Sequence, residues 1–210
     1  MIDHLVIYSD YACPFVHNVA IWLDNLKTKC GLEVSIEWKP FMLDQANSRN
    51  ETGSNIWDID DLTKPRSLLA QIAGLAAKRQ GQNKFETFHL NILKSKHGSG
   101  KIFKLNDWSN ILLLAEQAGL DTDKLELDMK DEGLREEIGK EHTNAVKNHG
   151  VFGTPTIISD GKNAGYLKIF IPPIEQSLEF YNNFISMNSG APFLGELKRP
   201  QPPWPIGLNN

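Results

Sequence analysis

The sequence predicts an α/β domain whose sheet is interrupted by a large all-helical insertion. A strand–helix–strand pattern occupies residues 1–59, and strand patterns return in residues 146–188 before a final helix. The intervening residues 60–145 have helical periodicity and no convincing strand. Strands that alternate with helices are typical of an α/β sheet covered by helices. We therefore divide the chain into these three parts and a proline-rich C-terminal arm, residues 189–210.

The first part predicts a buried strand, an amphipathic helix and a half-buried strand. Residues 4–8 form a short apolar run that is long enough for one strand. In residues 14–29 apolar side chains recur at spacings of four, three and four, which predicts a helix with one buried face: Phe15, Val19, Trp22 and Leu26. Pro14 suits the first turn of this helix, and Gly31 ends it. Residues 32–38 alternate apolar and polar side chains, which predicts the second strand.

The helical insertion follows a polar segment, residues 44–55, whose composition predicts a linker. Four helical patterns come after it, over residues 67–79, 85–96, 108–118 and 132–147. The stretch from Gly98 to Lys101 lacks the spacing of a phosphate-binding loop, so we expect a turn between helices there.

The third part predicts two strands and a helix. The strands cover residues 155–158 and 166–170, with a turn at Asp160 and Gly161. Pro172 and Pro173 then open a helix that continues to about residue 185. Five of the eleven prolines lie in the arm, which predicts an extended segment. Because the arm also carries Phe193 and Trp204, we expect it to pack on the body or on a second subunit of a homodimer.

The composition excludes several classes of partner. The chain has 210 residues, of which 40% are hydrophobic and 23% charged, and its net charge is −4. No basic block is present, which argues against nucleic acid and against an anionic membrane surface as partners. The N-terminal residues lack a signal-peptide pattern, and no apolar run approaches the roughly 18 residues of a membrane span. We expect a cytoplasmic protein in which Cys13 and Cys30 remain thiols.

Cys13 lies at the junction between the first strand and the first helix, directly before Pro14. A thiol at a helix N-terminus faces unpaired backbone N–H groups and the positive end of the helix dipole, which both favour the thiolate. The thiolate is the form that attacks disulfides and electrophilic carbons. The alternative is that Cys13 is a small buried hydrophobic residue, which is the usual fate of a free cysteine.

A second candidate element is the loop of residues 150–156, Gly-Val-Phe-Gly-Thr-Pro-Thr. Pro155 lies where a strand is predicted to begin. With a cis peptide bond at Pro155, the backbone N–H and C=O of Thr154 would be free to pair with an extended substrate or a tripeptide thiol. The alternative is an ordinary proline at the entrance of a strand.

Three motifs together resemble the DsbA-like branch of the thioredoxin superfamily: Ser-Asp-Tyr-Ala-Cys-Pro-Phe at residues 9–15, Trp-Lys-Pro-Phe at residues 38–41, and the loop of residues 150–156. Within this branch the chain is most similar to the FrnE-type proteins. The branch also includes 2-hydroxychromene-2-carboxylate isomerases and kappa-class glutathione transferases. The resemblance implies a thioredoxin fold (β-α-β … β-β-α) with a helical insertion, a nucleophile at Cys13 and a cis proline at Pro155. We expect Pro14 and Phe15 to support the active site. Thr154 and Pro155 are the predicted substrate-binding residues.

The sequence departs from the dithiol members of this branch at Val16, where they carry a second cysteine. Cys30 cannot replace it, because 17 residues of helix separate Cys13 and Cys30 by about 25 Å. A disulfide requires Cα atoms within roughly 7 Å of each other. We therefore expect Cys30 to be a structural thiol, and we expect that this protein cannot form an intramolecular disulfide during its reaction cycle.

Other polar residues are weaker candidates. His17 follows Cys13 by one helical turn, so it is expected either to approach the sulfur and support the thiolate or to lie on a partly exposed polar face. His142 and His149 are predicted to have surface or loop roles. No metal-ligand motif is present, and we expect no metal site. Three aromatic residues either line an apolar cleft at the site or belong to the core: Phe15, Phe41 and Phe152.

Three functions remain open from the sequence. The first is a thiol–disulfide oxidoreductase in which Cys13 attacks a disulfide of a protein or small molecule and an external thiol resolves the mixed disulfide. The second is a glutathione-dependent isomerase or transferase, in which one polar atom at this helix start activates glutathione. The third is a thioredoxin-fold binding protein without redox activity. In each case we expect no tightly bound cofactor, with glutathione or another low-molecular-weight thiol as the co-substrate of the first two.

Overall fold

The computed structural model describes residues 3–47, 55–98, 103–159 and 161–198. Four strands form one mixed sheet in the order β2-β1-β3-β4, with bounds β1 Asp3–Ser9, β2 Val34–Pro40, β3 Thr156–Ser159 and β4 Asn163–Tyr166. Strand β1 is parallel to β2 and antiparallel to β3, and β4 is antiparallel to β3. The sheet is therefore assembled from the two ends of the described chain, as the sequence predicted.

Helix α1, Pro14–Lys29, connects β1 to β2 and has the bounds that the sequence predicted. Its apolar stripe is buried through Val19, Trp22 and Leu26, because that face packs into the main core. Cys30 caps the helix, and Gly31 follows with φ +68°, a left-handed conformation that glycine adopts without strain. Capping and periodicity therefore agree along this segment.

Within its described residues, the insertion between β2 and β3 contains helices, connecting turns and one 3₁₀ helix at Ile56–Asp58. Its helices are α2 Leu43–Asn47, α3 Leu68–Lys78, α4 Gln82–His97, α5 Trp108–Gln117, α6 Thr122–Asp128 and α7 Gly133–His149. Helix α3 is buried almost throughout and packs against α4, α5, α6 and α7, so it is the centre of the insertion. The four predicted helices are confirmed as α3, α4, α5 and α7.

The sequence missed α2 and α6, and the reason lies in their length. Helix α6 has seven residues and buries only Leu125 fully, so it leaves no periodic apolar stripe to detect. It begins at Asp121, whose carboxylate accepts from Lys124 N at 3.0 Å. Helix α2 has five residues and covers the beginning of the segment predicted as a linker, so the linker prediction is wrong for residues 44–47. Residues 48–54 of that segment are outside the described residues.

The second strand of the C-terminal hairpin lies earlier than predicted. Strand β4 is Asn163–Tyr166, and the prediction of a strand over residues 166–170 is wrong. Lys162 N donates to Ser159 O across the turn, so β4 begins directly after the turn, at residue 163. Beyond the end of β4, Leu167 N donates to Pro155 O at 3.1 Å and extends the pairing by one hydrogen bond. Asp160 of the predicted turn is outside the described residues.

Helix α8, Ile174–Gly190, begins after the predicted Pro172–Pro173 pair and packs on α1, β3 and β4. Two predicted part boundaries fall inside helices, residue 145 in α7 and residue 188 in α8. Residues 191–198 contain no helix or strand. Phe193 is 89% exposed, so it does not pack on the body, and packing of the arm on a second subunit stays a prediction. Trp204 is outside the described residues.

Two apolar clusters lie on the two faces of the sheet. Ile7 belongs to the main core with α1 and α3, whereas its neighbour Tyr8 belongs to a smaller cluster with Phe41, Val151 and Ile158. This division follows from the alternation of side chains along a strand. Within the described residues no helix is long and apolar enough to cross a bilayer.

Candidate active site

Cys13 is the N-cap residue of α1, in an extended conformation with φ −90° and ψ 117°. Its N–H donates to Asp10 O at 2.9 Å, and its carbonyl accepts from Val16 N at 3.1 Å. The first turn of α1 holds no acidic residue, so nothing in it opposes the positive end of the helix dipole. Cys13 is only 6% exposed, and we call this small solvent-facing part the opening of the site.

The loop before β3 supplies the other half of the site. Cys13 Sγ donates to Thr154 O at 3.2 Å, although the two residues are 141 positions apart in the chain. The Thr154–Pro155 peptide bond is cis. The loop is fixed on both sides, because Thr156 Oγ1 donates to Gly153 O at 2.8 Å and Leu167 N donates to Pro155 O. The fold therefore brings Cys13, Thr154 and Pro155 together.

Asp10 holds the turn that precedes Cys13. One carboxylate oxygen accepts from Ala12 N and the other from Leu43 N, both at 2.8 Å. The side chain is fully enclosed, and burial raises the pKa of Asp10, against the opposite effect of these hydrogen bonds. Asp10 thus ties the thiol loop to the segment after β2. Sequence reasoning did not single it out, although an acid at the end of an apolar strand was the available signal.

Tyr11 attaches the same loop to helix α4. Its carbonyl lies 2.9 Å from His97 Nε2, and its hydroxyl lies 2.9 Å from His89 Nδ1. Burial lowers the pKa of His89 to about 3, so this imidazole is neutral at physiological pH. The ring of Trp38 lies over His89 with 4.3 Å between centroids, which fixes the imidazole further. None of these contacts was predicted, because they join segments far apart in sequence.

His17 lies inside the protein and bonds to its neighbour Asn18. It is buried, and its Nδ1 lies 3.1 Å from Asn18 Oδ1. Asn18 Nδ2 in turn donates to Ile169 O at 2.9 Å. Burial lowers the pKa of His17 despite the hydrogen bond to Asn18. The expectation of a partly exposed polar face is therefore wrong, whereas the approach of His17 to the sulfur stays a prediction.

The three candidate aromatic residues have different environments. Phe41 is fully buried in the smaller apolar cluster and is a core residue. Phe152 is 71% exposed, and its ring lies 4.8 Å from that of Tyr166. Phe15 is half-buried, and Lys168 Nζ lies 5.2 Å from its ring centroid. Phe15 and Phe152 therefore keep exposed surface near the site, although Phe15 also packs partly against the main core.

The two cysteines are at opposite ends of α1 and are both free thiols. Cys30 is half-buried, with Sγ 3.9 Å from Ile174 O, in agreement with a structural role. Val16 is fully buried one turn after Cys13, so the position of a resolving cysteine faces the core.

The expected surface role of His142 is wrong. His142 is 6% exposed, its Nδ1 accepts from Met42 N at 3.2 Å, and its ring lies 4.4 Å from that of Phe41. Burial lowers its pKa to about 4. His149 is half-buried at the end of α7. Among the described residues no group of three or more histidine, cysteine or acidic side chains is arranged to hold a metal.

Solved structures share this fold at low sequence identity. A probable DsbA oxidoreductase from Streptomyces coelicolor aligns with a TM-score of 0.60 at 17% identity, covering 98% of this chain and 97% of the other. A thioredoxin-like oxidoreductase from Silicibacter pomeroyi aligns with a TM-score of 0.56 at 20% identity, covering 86% and 87%. A 2-hydroxychromene-2-carboxylate isomerase aligns with a TM-score of 0.60 at 13% identity, covering 92% and 100%. At these identities the likeness establishes the fold alone.

Family membership rests on the sequence itself. A search of curated protein sequences finds no significant match. The family model of the DSBA-like thioredoxin domain matches residues 4–179, which include Cys13, Pro155 and the whole helical insertion. Sheet order, helical insertion and sequence match agree, and the chain belongs to the DSBA-like thioredoxin domain family.

Proposed function

We propose that this protein is a thiol–disulfide oxidoreductase that works through a single nucleophile, Cys13, and depends on an external thiol. One observation carries the proposal: Cys13 Sγ lies at the start of α1, against Thr154 O, with the buried Val16 in place of a second cysteine. The helix start favours attack by a thiolate, and the contact with Thr154 O directs Sγ towards the loop of Pro155. The buried Val16 removes the internal route by which a mixed disulfide is usually resolved.

The proposed reaction consists of two exchanges. The Cys13 thiolate attacks one sulfur of a substrate disulfide, forms an Sγ–S bond and expels the other sulfur as a thiolate, which takes up a proton from water. An external thiolate then attacks the substrate sulfur of the mixed disulfide and releases Cys13 as thiolate. One turnover therefore releases one substrate thiol and a disulfide that joins the other substrate sulfur to the external thiol. A second external thiol that attacks this disulfide releases the second substrate thiol, so two external thiols together lose the two electrons that the substrate disulfide gains.

The surrounding residues position the sulfur. In the thiol state Cys13 donates to Thr154 O, which directs Sγ towards the loop of Pro155. Deprotonation removes this hydrogen bond, and the thiolate is then stabilised by the backbone N–H groups at the start of the helix. Asp10 and Tyr11 hold the preceding turn in place through Leu43 N and His97 respectively. Pro14 begins the helix that supplies the dipole.

A second candidate is glutathione-dependent isomerisation or transfer. The likeness in fold to a 2-hydroxychromene-2-carboxylate isomerase favours it, since a single polar atom at the helix start is sufficient for such chemistry. Calorimetry with glutathione separates the two candidates. Tight binding of reduced glutathione, retained in Cys13→Ala, supports the isomerase or transferase. Attachment only as a mixed disulfide formed by exchange with oxidised glutathione supports the oxidoreductase.

The test of the main proposal uses a Cys30→Ser parent, in which Cys13 is the only thiol. With glutathione as reductant, we expect the parent to catalyse reduction of hydroxyethyl disulfide and to accumulate a one-to-one mixed disulfide detectable by mass spectrometry. Cys13→Ser in the same background is expected to lose both. Exchange that survives in Cys13→Ser would overturn the proposal, and loss of activity in the Cys30→Ser parent alone would reassign the nucleophile. We also propose a cytoplasmic location, where reduced thiols are abundant.

A further inference from the structure

Lys168 lies near both segments that form the Cys13 site, the start of α1 and the loop before β3. Its ammonium lies 5.2 Å from the centroid of Phe15, two residues after Cys13, and 5.4 Å from the centroid of Tyr166. The Tyr166 ring lies in turn against the loop of Thr154, since a side chain at Gly153 would meet it at 3.2 Å. Lys168 is thus held between the helix start that carries the nucleophile and the loop that faces it.

The position of this ammonium is fixed, but its charge is not neutralised. Two aromatic faces attract a cation through their quadrupoles and restrict a lysine that is otherwise exposed. None of the ion pairs found among the described residues, with N···O distances up to 4 Å, includes Lys168. The protein as a whole is acidic, with a net charge of −4, so an unpaired cation at this opening is not a consequence of a basic surface.

We propose that Lys168 is a specificity-determining residue that selects thiols and disulfides carrying a carboxylate near the reacting sulfur. The inference rests on the proposed function, because it concerns the partner that exchanges with Cys13. When the carboxylate of such a molecule binds Lys168, the sulfur of the same molecule lies at the Cys13 opening. The attraction applies both to the disulfide that enters and to the thiol that resolves the mixed disulfide. Neutral and cationic partners lack this contribution.

Three small disulfides test the inference, because their reacting S–S bonds are alike and only their end groups differ. Dithiodipropionate is anionic, hydroxyethyl disulfide is neutral and cystamine is cationic. The rate constant of Cys13 with each is measured in the Cys30→Ser parent by following the mixed disulfide. The measurements are repeated in Lys168→Met and in a matched control, Lys162→Met, which removes the same charge from the far end of the β3–β4 hairpin.

We expect the anionic-to-neutral rate ratio to fall about two- to fivefold in Lys168→Met, the range of an exposed charge pair. The cationic-to-neutral ratio is expected to rise, and both effects are expected to shrink in high salt. Lys162→Met should leave the ratios unchanged. Equal ratios in parent and Lys168→Met, or equal changes in both variants, would overturn the inference while leaving the proposed function intact. If Cys13 reacts with none of the three disulfides, the proposed function itself fails.

Discussion

Restoring a second thiol by Val16→Cys is the sharpest test of how Cys13 is arranged. Three residues of helix give a rise of about 4.5 Å and a rotation that together separate the Cα atoms of positions 13 and 16 by about 5 Å. This distance is within the 4.4–6.8 Å that a disulfide requires. Val16 is fully buried, and its replacement by a smaller side chain is expected to cost about 1 kcal/mol, which leaves the fold intact.

The assay follows the release of glutathione from a preformed Cys13–glutathione adduct, in the Cys30→Ser parent and without added thiol. The parent is expected to keep its adduct, because it has no other thiol. In Val16→Cys the new thiol attacks from within the same turn, so release should be at least about tenfold faster than in the parent with about 1 mM external thiol. The released thiol and the internal disulfide are both measured by mass spectrometry.

Val19→Cys is the matched control, since it makes the same substitution at a buried position of the same helix. Six residues of helix place its Cα about 10 Å from that of Cys13, beyond the range of a disulfide. If Val16→Cys releases glutathione no faster than Val19→Cys, a thiol at position 16 does not reach Cys13 Sγ. The inference that the start of α1 has the geometry of a dithiol site is then refuted.

Two further predictions concern the residues that support the site. Asp10→Asn leaves one side-chain oxygen to accept from either Ala12 N–H or Leu43 N–H, so the remaining N–H loses its partner. Urea unfolding should then show a loss of about 1–3 kcal/mol in the free energy of unfolding. A gain in stability would mean that the cost of the buried charge is the larger effect. Because the pKa of His142 is lowered to about 4 in the folded protein, its contribution to stability is complete above pH ~6.5 and is lost as the pH falls towards ~4, by about 1–2 kcal/mol at pH ~5. His142→Asn, which keeps an acceptor for Met42 N, should flatten this part of the stability profile, whereas the same change at the exposed His4 should not; parallel profiles in both variants would contradict the assignment.

Local sequence signals predicted the parts of the fold that local physics determines. Helix α1 has its predicted bounds because its stripe, its first-turn proline and the following glycine all act within the segment. The contacts that build the site depend instead on tertiary packing, which brings Thr154 to Cys13 and Leu43 to Asp10. The burial of His142 is of the same kind, because only the fold reveals that Met42 N and Phe41 surround it.

The loss of the second cysteine changes what the rest of the site has to provide. A resolving thiol within the same turn acts at an effective concentration far above that of any dissolved thiol. With Val16 buried, the resolving thiol has to approach from solvent, through the opening bordered by Phe15 and the loop of Thr154. Under the proposed mechanism, turnover is then limited by how well this opening captures a thiol from the pool. An unpaired cation at the opening raises the local concentration of anionic thiols. Val16 thus makes the protein depend on an external thiol, and Lys168 helps to supply that thiol.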